Sequence, residues 1–139
     1  MYEYKAKLER VVDGDTIDAT IDLGFDVFVK KRIRFAGINA PESRTRDLKE
    51  KAFGLAAKDR VKSILAENPC FTLESTELGK YGRVLGSIVV DNLDINQAMV
   101  AQNLAVKYFG QSKADVEVEH LANRQKLIDS GAYIPDSDI

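Results

Sequence analysis

Several residue types are scarce in this chain, and each scarcity removes a class of explanation. The single cysteine, Cys70, cannot form an intramolecular disulfide, so a disulfide scaffold is excluded and a reducing interior fits. The single histidine, His120, has no cysteine or second histidine at zinc-ligand spacing. Tryptophan is absent, which argues against a module built on aromatic stacking platforms. No window approaches ~18 consecutive apolar residues, so no transmembrane helix is expected. The opening MYEYKAKLERVV alternates polar and apolar residues and lacks the apolar region of a signal peptide. These features lead us to expect a cytoplasmic protein with no membrane partner. Phosphate-binding P-loop and dinucleotide fingerprints are also missing. Nor is there an excess of positive charge: 20 Lys and Arg against 22 Asp and Glu leave −2, a poor footprint for a nucleic-acid binder.

What is present is unevenly distributed. Basic residues concentrate in VKKRIR and shortly afterwards in ESRTR, while acidic ones gather at Asp115, Glu117, Glu119, Asp129, Asp136 and Asp138. With 45% hydrophobic and 30% charged residues, the 139-residue chain reads as one globular domain spanning 1–139. Its core is expected to reach about residue 132, followed by a short flexible tail, YIPDSDI.

Hydrophobic periodicity predicts three strands first. YEYKAKL and TIDATID alternate, and LGFD marks a hairpin connection. VFVKKRIRFAGI sets Val29, Lys31, Ile33 and Phe35 on one face and Lys30, Arg32 and Arg34 on the other. Lys31 breaks the apolar side of that pattern, which suggests a bulge or a barrel edge. After Pro41 the period lengthens: Phe53, Ala57, Val61, Ile64 and Leu65 mark a helix ended by Asn68-Pro69. CFTLES and VLGSIVV predict two further strands, and Asp91-Asn92 a turn. INQAMVAQNLA predicts a short helix capped by Asp94 or Asn96. A last helix over about 112–130 sets Ala114, Val118, Leu121 and Ile128 on one stripe, with Ser112 as its cap and Gly131 beyond its end. Five strands with a helix after the third suggest an OB-type β-barrel in an α+β fold.

Three segments could carry chemistry, and each also has a plain structural reading. In VVDGDT, Asp13 and Asp15 flank a turn-forming glycine, and Asp15 leads directly into a strand, where a carboxylate is well held for a hard cation. INAPE is either a proline-containing turn or a site offering the Asn39 amide, the Ala40 carbonyl and a proton-accepting Glu42. GKYGR is either a glycine-rich loop with exposed basic residues or the source of an Arg83 that joins Arg34 in gripping a phosphate. His120 reads as a packing or surface residue rather than a general base, and Cys70 as a core or strand residue.

In combination, DGDT, RFAGINAPE, KYGR and NLA, followed by a polar-faced helix, resemble the staphylococcal nuclease family from about Leu8 to about Ala132. Arg34 precedes Glu42 by eight residues, as the first catalytic arginine does in that family. The resemblance implies a five-stranded OB barrel with three helices that cuts DNA and RNA using one Ca²⁺; single-stranded substrates are expected to be preferred, and a monomer is the default expectation. It implies products ending in 3′-phosphate and 5′-hydroxyl. By position, Asp15, Asn39 and the Ala40 backbone carbonyl fall on the metal ligands, with Asp13 just behind them. Glu42 falls on the general base, and Arg34 and Arg83 on the pair that grips the phosphate. Lys80, Tyr81 and Tyr108 fall near positions that contact nucleotide phosphates or bases, Tyr108 only after a gap. Asn39 stands where the family carries Asp; one fewer negative charge should weaken Ca²⁺ binding. Ala40 replaces a threonine, and the first hairpin, IDLGFDVFVKK, is longer. The alternative is a non-catalytic OB module binding nucleic acid or a protein partner. Asn39 and the acidic net charge favour that alternative, whereas Arg34, Glu42 and Arg83 together favour the enzyme.

Overall fold

The fold was obtained as a computed structural model and is described for residues 2–78 and 84–131. Lys80, Tyr81, Arg83 and the tail after Gly131 lie outside these residues. Strands β1 (Tyr2–Asp13), β2 (Thr16–Asp22) and β3 (Phe28–Phe35) form an antiparallel meander. After the two-residue β4 (Ile38–Asn39) and helix α1 (Leu48–Glu67), β5 (Cys70–Leu78) pairs with β1, and β6 (Val84–Val90) with β5. The barrel closes where β6 runs parallel to β3, Ile33–Phe35 against Val84–Gly86. β7 (Leu93–Asp94), α2 (Ile95–Ala101), β8 (Val106–Lys107) and α3 (Lys113–Asp129) complete the chain. The architecture is therefore a five-stranded OB-type barrel with three helices, as the strand order suggested.

Closure follows from the alternation in each strand. Ile17, Ile33, Leu73 and Ile88 each point inward and are wholly buried, together with Phe35. α1 covers one end of this core with Ala57, Val61 and Leu65, all fully inaccessible. Its first turn is held by Asp47, whose Oδ1 accepts the Lys49 and Glu50 amides, and Asn68 ends it. No helix among the described residues is long and apolar enough to cross a membrane.

Two local expectations, the end of α2 and the buried face of α3, are corrected, and two others, Lys31 and Cys70, are narrowed to one of their alternatives. Lys31 sits in a regular β2–β3 register with no bulge and is exposed, outside the part of β3 that pairs with β6 among the described residues, Ile33–Phe35, so the barrel-edge alternative is the one that fits. α2 stops at Ala101, where Asn103 takes a positive φ of 62° and turns the chain. Asp94 is its cap, while Asn96 is buried, its amide nitrogen donating to Ala36 and Gly86 carbonyls at 2.9 and 3.2 Å. Cys70 begins β5 but is exposed rather than in the core. The largest correction concerns α3. Its apolar stripe points outward, with Val118 66%, Leu121 50% and Ile128 39% exposed, and the face packed inward carries Val116, His120, Asn123, Arg124 and Leu127.

Candidate active site

The turn between β1 and β2 forms the floor of a cleft of about 720 Å³ at one end of the barrel. Gly14 lets this turn sit deep. A methyl group there would lie 2.6 Å from Ala57 Cβ on α1 and 3.1 Å from Ala40 Cβ, closer than side chains pack. Asp15 is consequently buried, at 8% exposure, and a buried carboxylate needs partners. It has three. The Ala40 amide donates to Oδ2 at 2.8 Å, the Thr16 hydroxyl donates to Oδ1 at 2.9 Å, and Arg34 Nη1 lies 3.4 Å from Oδ2. The β2–β3 register sets Thr16 opposite Arg34, which brings the guanidinium over this carboxylate. Arg34 Nη1 also donates to the Phe35 carbonyl at 3.1 Å. A guanidinium has five N–H donors, and those on Nε and Nη2 have no hydrogen-bond partner among the described residues, so they can meet an anion in the cleft.

Glu42 is held from both sides through its backbone. Asp13 Oδ1 accepts both the amide, at 3.2 Å, and the hydroxyl of Ser43, which is itself buried. On the other side Gly54 of α1 packs directly beneath; a methyl at Gly54 would collide with the Glu42 carbonyl. The carboxylate of Glu42 stays exposed at the cleft wall. Nearby Glu50 has its carboxyl raised above the usual glutamate value, chiefly by burial and next by the Glu42 charge.

The opposite wall comes from α3 and the segment before it. His120 is 6% exposed, and its Nε2 lies 2.7 Å from Asn39 Oδ1. Burial, and then the Arg124 charge, push its imidazole below the ordinary histidine value. Tyr108 reaches the cleft from a backbone whose amide donates to the Gly37 carbonyl at 2.8 Å. Gln111 braces this stretch: its Oε1 accepts the Phe109 amide at 2.8 Å and its Nε2 donates to the Lys107 carbonyl at 2.7 Å.

Asp13, Asp15, Arg34, Asn39, Ala40, Glu42 and Tyr108 therefore all line one cleft. Lys80, Tyr81 and Arg83 fall outside the described residues. The sequence had not singled out Ser43, Thr16, Glu50 or a cleft position for His120. Only His120 left a trace, the 3.6-residue spacing of Val116, His120, Asn123, Arg124 and Leu127.

The donor set suits a hard, oxygen-seeking cation. Asp15 keeps lone pairs beyond those its hydrogen bonds occupy, and Asn39 and Ala40 add neutral oxygens. Among the described residues, no three His, Cys, Asp or Glu side chains group closely enough to cage a metal. A cation here would rest on one buried carboxylate and depend on water and a substrate phosphate for its other ligands. The described lining carries six acidic residues (Asp13, Asp15, Glu42, Asp47, Glu50, Glu117) against Arg34 and Lys113. An anionic substrate therefore needs added positive charge to enter.

The profile of the staphylococcal nuclease homologue family matches residues 32–127, from β3 through most of α3. The chain belongs to this family. The matched segment starts after the β1–β2 turn and so leaves out Asp13 and Asp15, which reach Ser43, Ala40 and Arg34 by their own hydrogen bonds and ion pair. The chain is 30% identical over 138 residues to the micrococcal nuclease of Shigella flexneri, covering 90% of this chain and 72% of that protein. It is 32% identical over 115 residues to endonuclease YhcR of Bacillus subtilis (strain 168), covering 77% of this chain and 9% of that protein. Protein ParB of Escherichia coli is 30% identical over 129 residues, covering 86% of this chain and 66% of that protein. The chain thus spans a small part of the Bacillus relative and about two thirds of the other two.

Proposed function

We propose that this protein is a nuclease that hydrolyses phosphodiester bonds of DNA and RNA, using one Ca²⁺ at Asp15, Asn39 and the Ala40 carbonyl. The observation that carries the reading is the convergence of Arg34, Asp15 and Glu42 on one cleft, from three separate segments of the chain. The relatives named as nucleases support it. When bound, the ion supplies positive charge against the negative charge that develops on the phosphate.

The chain's own residues do the rest. Arg34, anchored by Asp15 and the Phe35 carbonyl, is oriented before substrate arrives and directs its free N–H groups at phosphate oxygens. Glu42, fixed through Asp13, Ser43 and Gly54, accepts a proton from the attacking water. A new P–O bond forms, the bond to the 5′-oxygen breaks, and that oxygen takes a proton from solvent. The products are a 3′-phosphate and a 5′-hydroxyl. Tyr108 stands where a flanking nucleotide would lie, and Lys80, Tyr81 and Arg83 complete the phosphate contacts in this reading. A single-stranded substrate and a monomeric enzyme are part of the same proposal.

The test is cleavage of a fluorescent single-stranded DNA oligonucleotide in Ca²⁺, in Mg²⁺ and in EDTA. Activity should require Ca²⁺ and fall by about 10²–10⁴-fold in Glu42→Gln, the usual worth of a general base. Arg34→Ala should lose about 10²–10³-fold, as for a lost oxyanion donor. Full activity in EDTA, or in either variant, overturns the mechanism. One observation favours a binding module instead: Asn39 is uncharged, which leaves Asp15 as the single carboxylate among the proposed ligands. A folded protein that binds the oligonucleotide but leaves it uncut at every Ca²⁺ concentration would establish that second reading.

A further inference from the structure

Asn39 poses a problem that an aspartate would not. The two ends of a carboxylate are both oxygens, so either rotamer offers a ligand. An amide offers an oxygen one way and an N–H₂ group the other, with nearly the same shape and opposite polarity. Only a hydrogen-bonding partner selects between them. In this structure that partner is His120, reaching across from α3 with Nε2 2.7 Å from Asn39 Oδ1.

We infer that His120 is a positioning residue, which holds the Asn39 amide with its oxygen available to a bound cation. The inference rests on the proposed metal site. The ring's other nitrogen, Nδ1, is buried and has no partner among the described residues. A buried N–H without an acceptor is rarer than an unused lone pair, and Nε2 is the nitrogen that faces an oxygen. The hydrogen therefore belongs on Nε2, which donates to Asn39 Oδ1. That bond occupies one lone pair of the amide oxygen and leaves the other for a cation. It also denies the reversed amide, because an Nε2–H facing an N–H₂ group would set donor against donor. The helix supports the arrangement. His120 sits on the inward stripe with Val116, Asn123 and Leu127, and Asn123 Nδ2 donates to the Ala105 carbonyl at 3.2 Å, tying α3 to the segment ahead of β8.

The test measures Ca²⁺ binding by titration calorimetry on the intact chain, without substrate. Variants are His120→Leu, His120→Gln and Asn39→Ala, with His120→Leu repeated in an Asn39→Asp background. His120→Leu should weaken Ca²⁺ binding by about 10-fold or more, as when other ligand-orienting partners are lost. His120→Gln, whose amide can donate, should recover most of that loss. In the Asn39→Asp background, His120→Leu should change affinity by no more than about twofold, as for independent sites. Nitrogen-15 shifts of the imidazole in the metal-free protein should report hydrogen on Nε2. Equal losses in both backgrounds would reduce His120 to a packing residue and overturn the inference. Wild-type affinity in His120→Leu, while Asn39→Ala binds weakly, would also overturn it. Undiminished binding in Asn39→Ala would instead overturn the metal site itself.

Discussion

Helices α1 and α3 both pack against the barrel next to the same cleft, yet they do so with opposite chemistry. α1 buries Phe53, Ala57, Val61 and Leu65 and turns charged residues to water, which is the ordinary arrangement. α3 turns Val118, Leu121 and Ile128 outward and buries His120 beside Asn123, Arg124 and Leu127. The difference reflects what each helix lies against. α1 covers the apolar barrel end, whereas α3 closes the polar wall of the site and must match Asn39 and the Ala105 carbonyl. An apolar stripe identifies the buried face only where the surface it meets is apolar too.

This contrast can be broken by substitution. The largest effect on stability should come from Leu65→Ala on α1, because the side chain is fully buried; a loss of about 2–5 kcal/mol is expected in urea unfolding. A cost below about 1 kcal/mol would mean that α1 is not anchored as the packing indicates. Gly54→Ala should cost about 1–3 kcal/mol, since the helix or the loop above it must shift. Because the collision is with the Glu42 backbone, cleavage should fall by more than the folded fraction does; activity unchanged per folded molecule would separate Gly54 from the site. Smallest of all should be Leu121→Ser on α3, within about 0.5 kcal/mol of wild type because Leu121 is half exposed. A cost like that of Leu65→Ala would show the outward face of α3 to be covered in solution, and the contrast between the helices would fail.

The site itself divides along similar lines. Asp13, Asp15, Arg34, Asn39, Ala40, Glu42 and Tyr108 were legible because motif order identified them before any contact was visible, and the cleft gathers all seven. Ser43 and His120 were not. A serine after Pro-Glu and a histidine amid glutamates have many uses, and their roles depend on Asp13 and Asn39, 30 and 81 residues away in the chain. The misplaced boundaries have local causes: α2 is cut short by a left-handed Asn103.

The family came from the resemblance of the motifs; from residue order and period came the five strands, the three helices, the Ser112 cap and a choice of Asp94 or Asn96 for α2. These follow from short-range physics, in which alternation, helical spacing and turn chemistry act within a few residues. Tertiary structure decided which face of α3 is buried, how Gly14 and Gly54 allow α1 to support the two turns that line the cleft, and that His120 meets Asn39. Those outcomes require distant segments to be set side by side, as the β4–β8 pairing does for Asn39 and Val106; only then does burial force each polar group to find its partner.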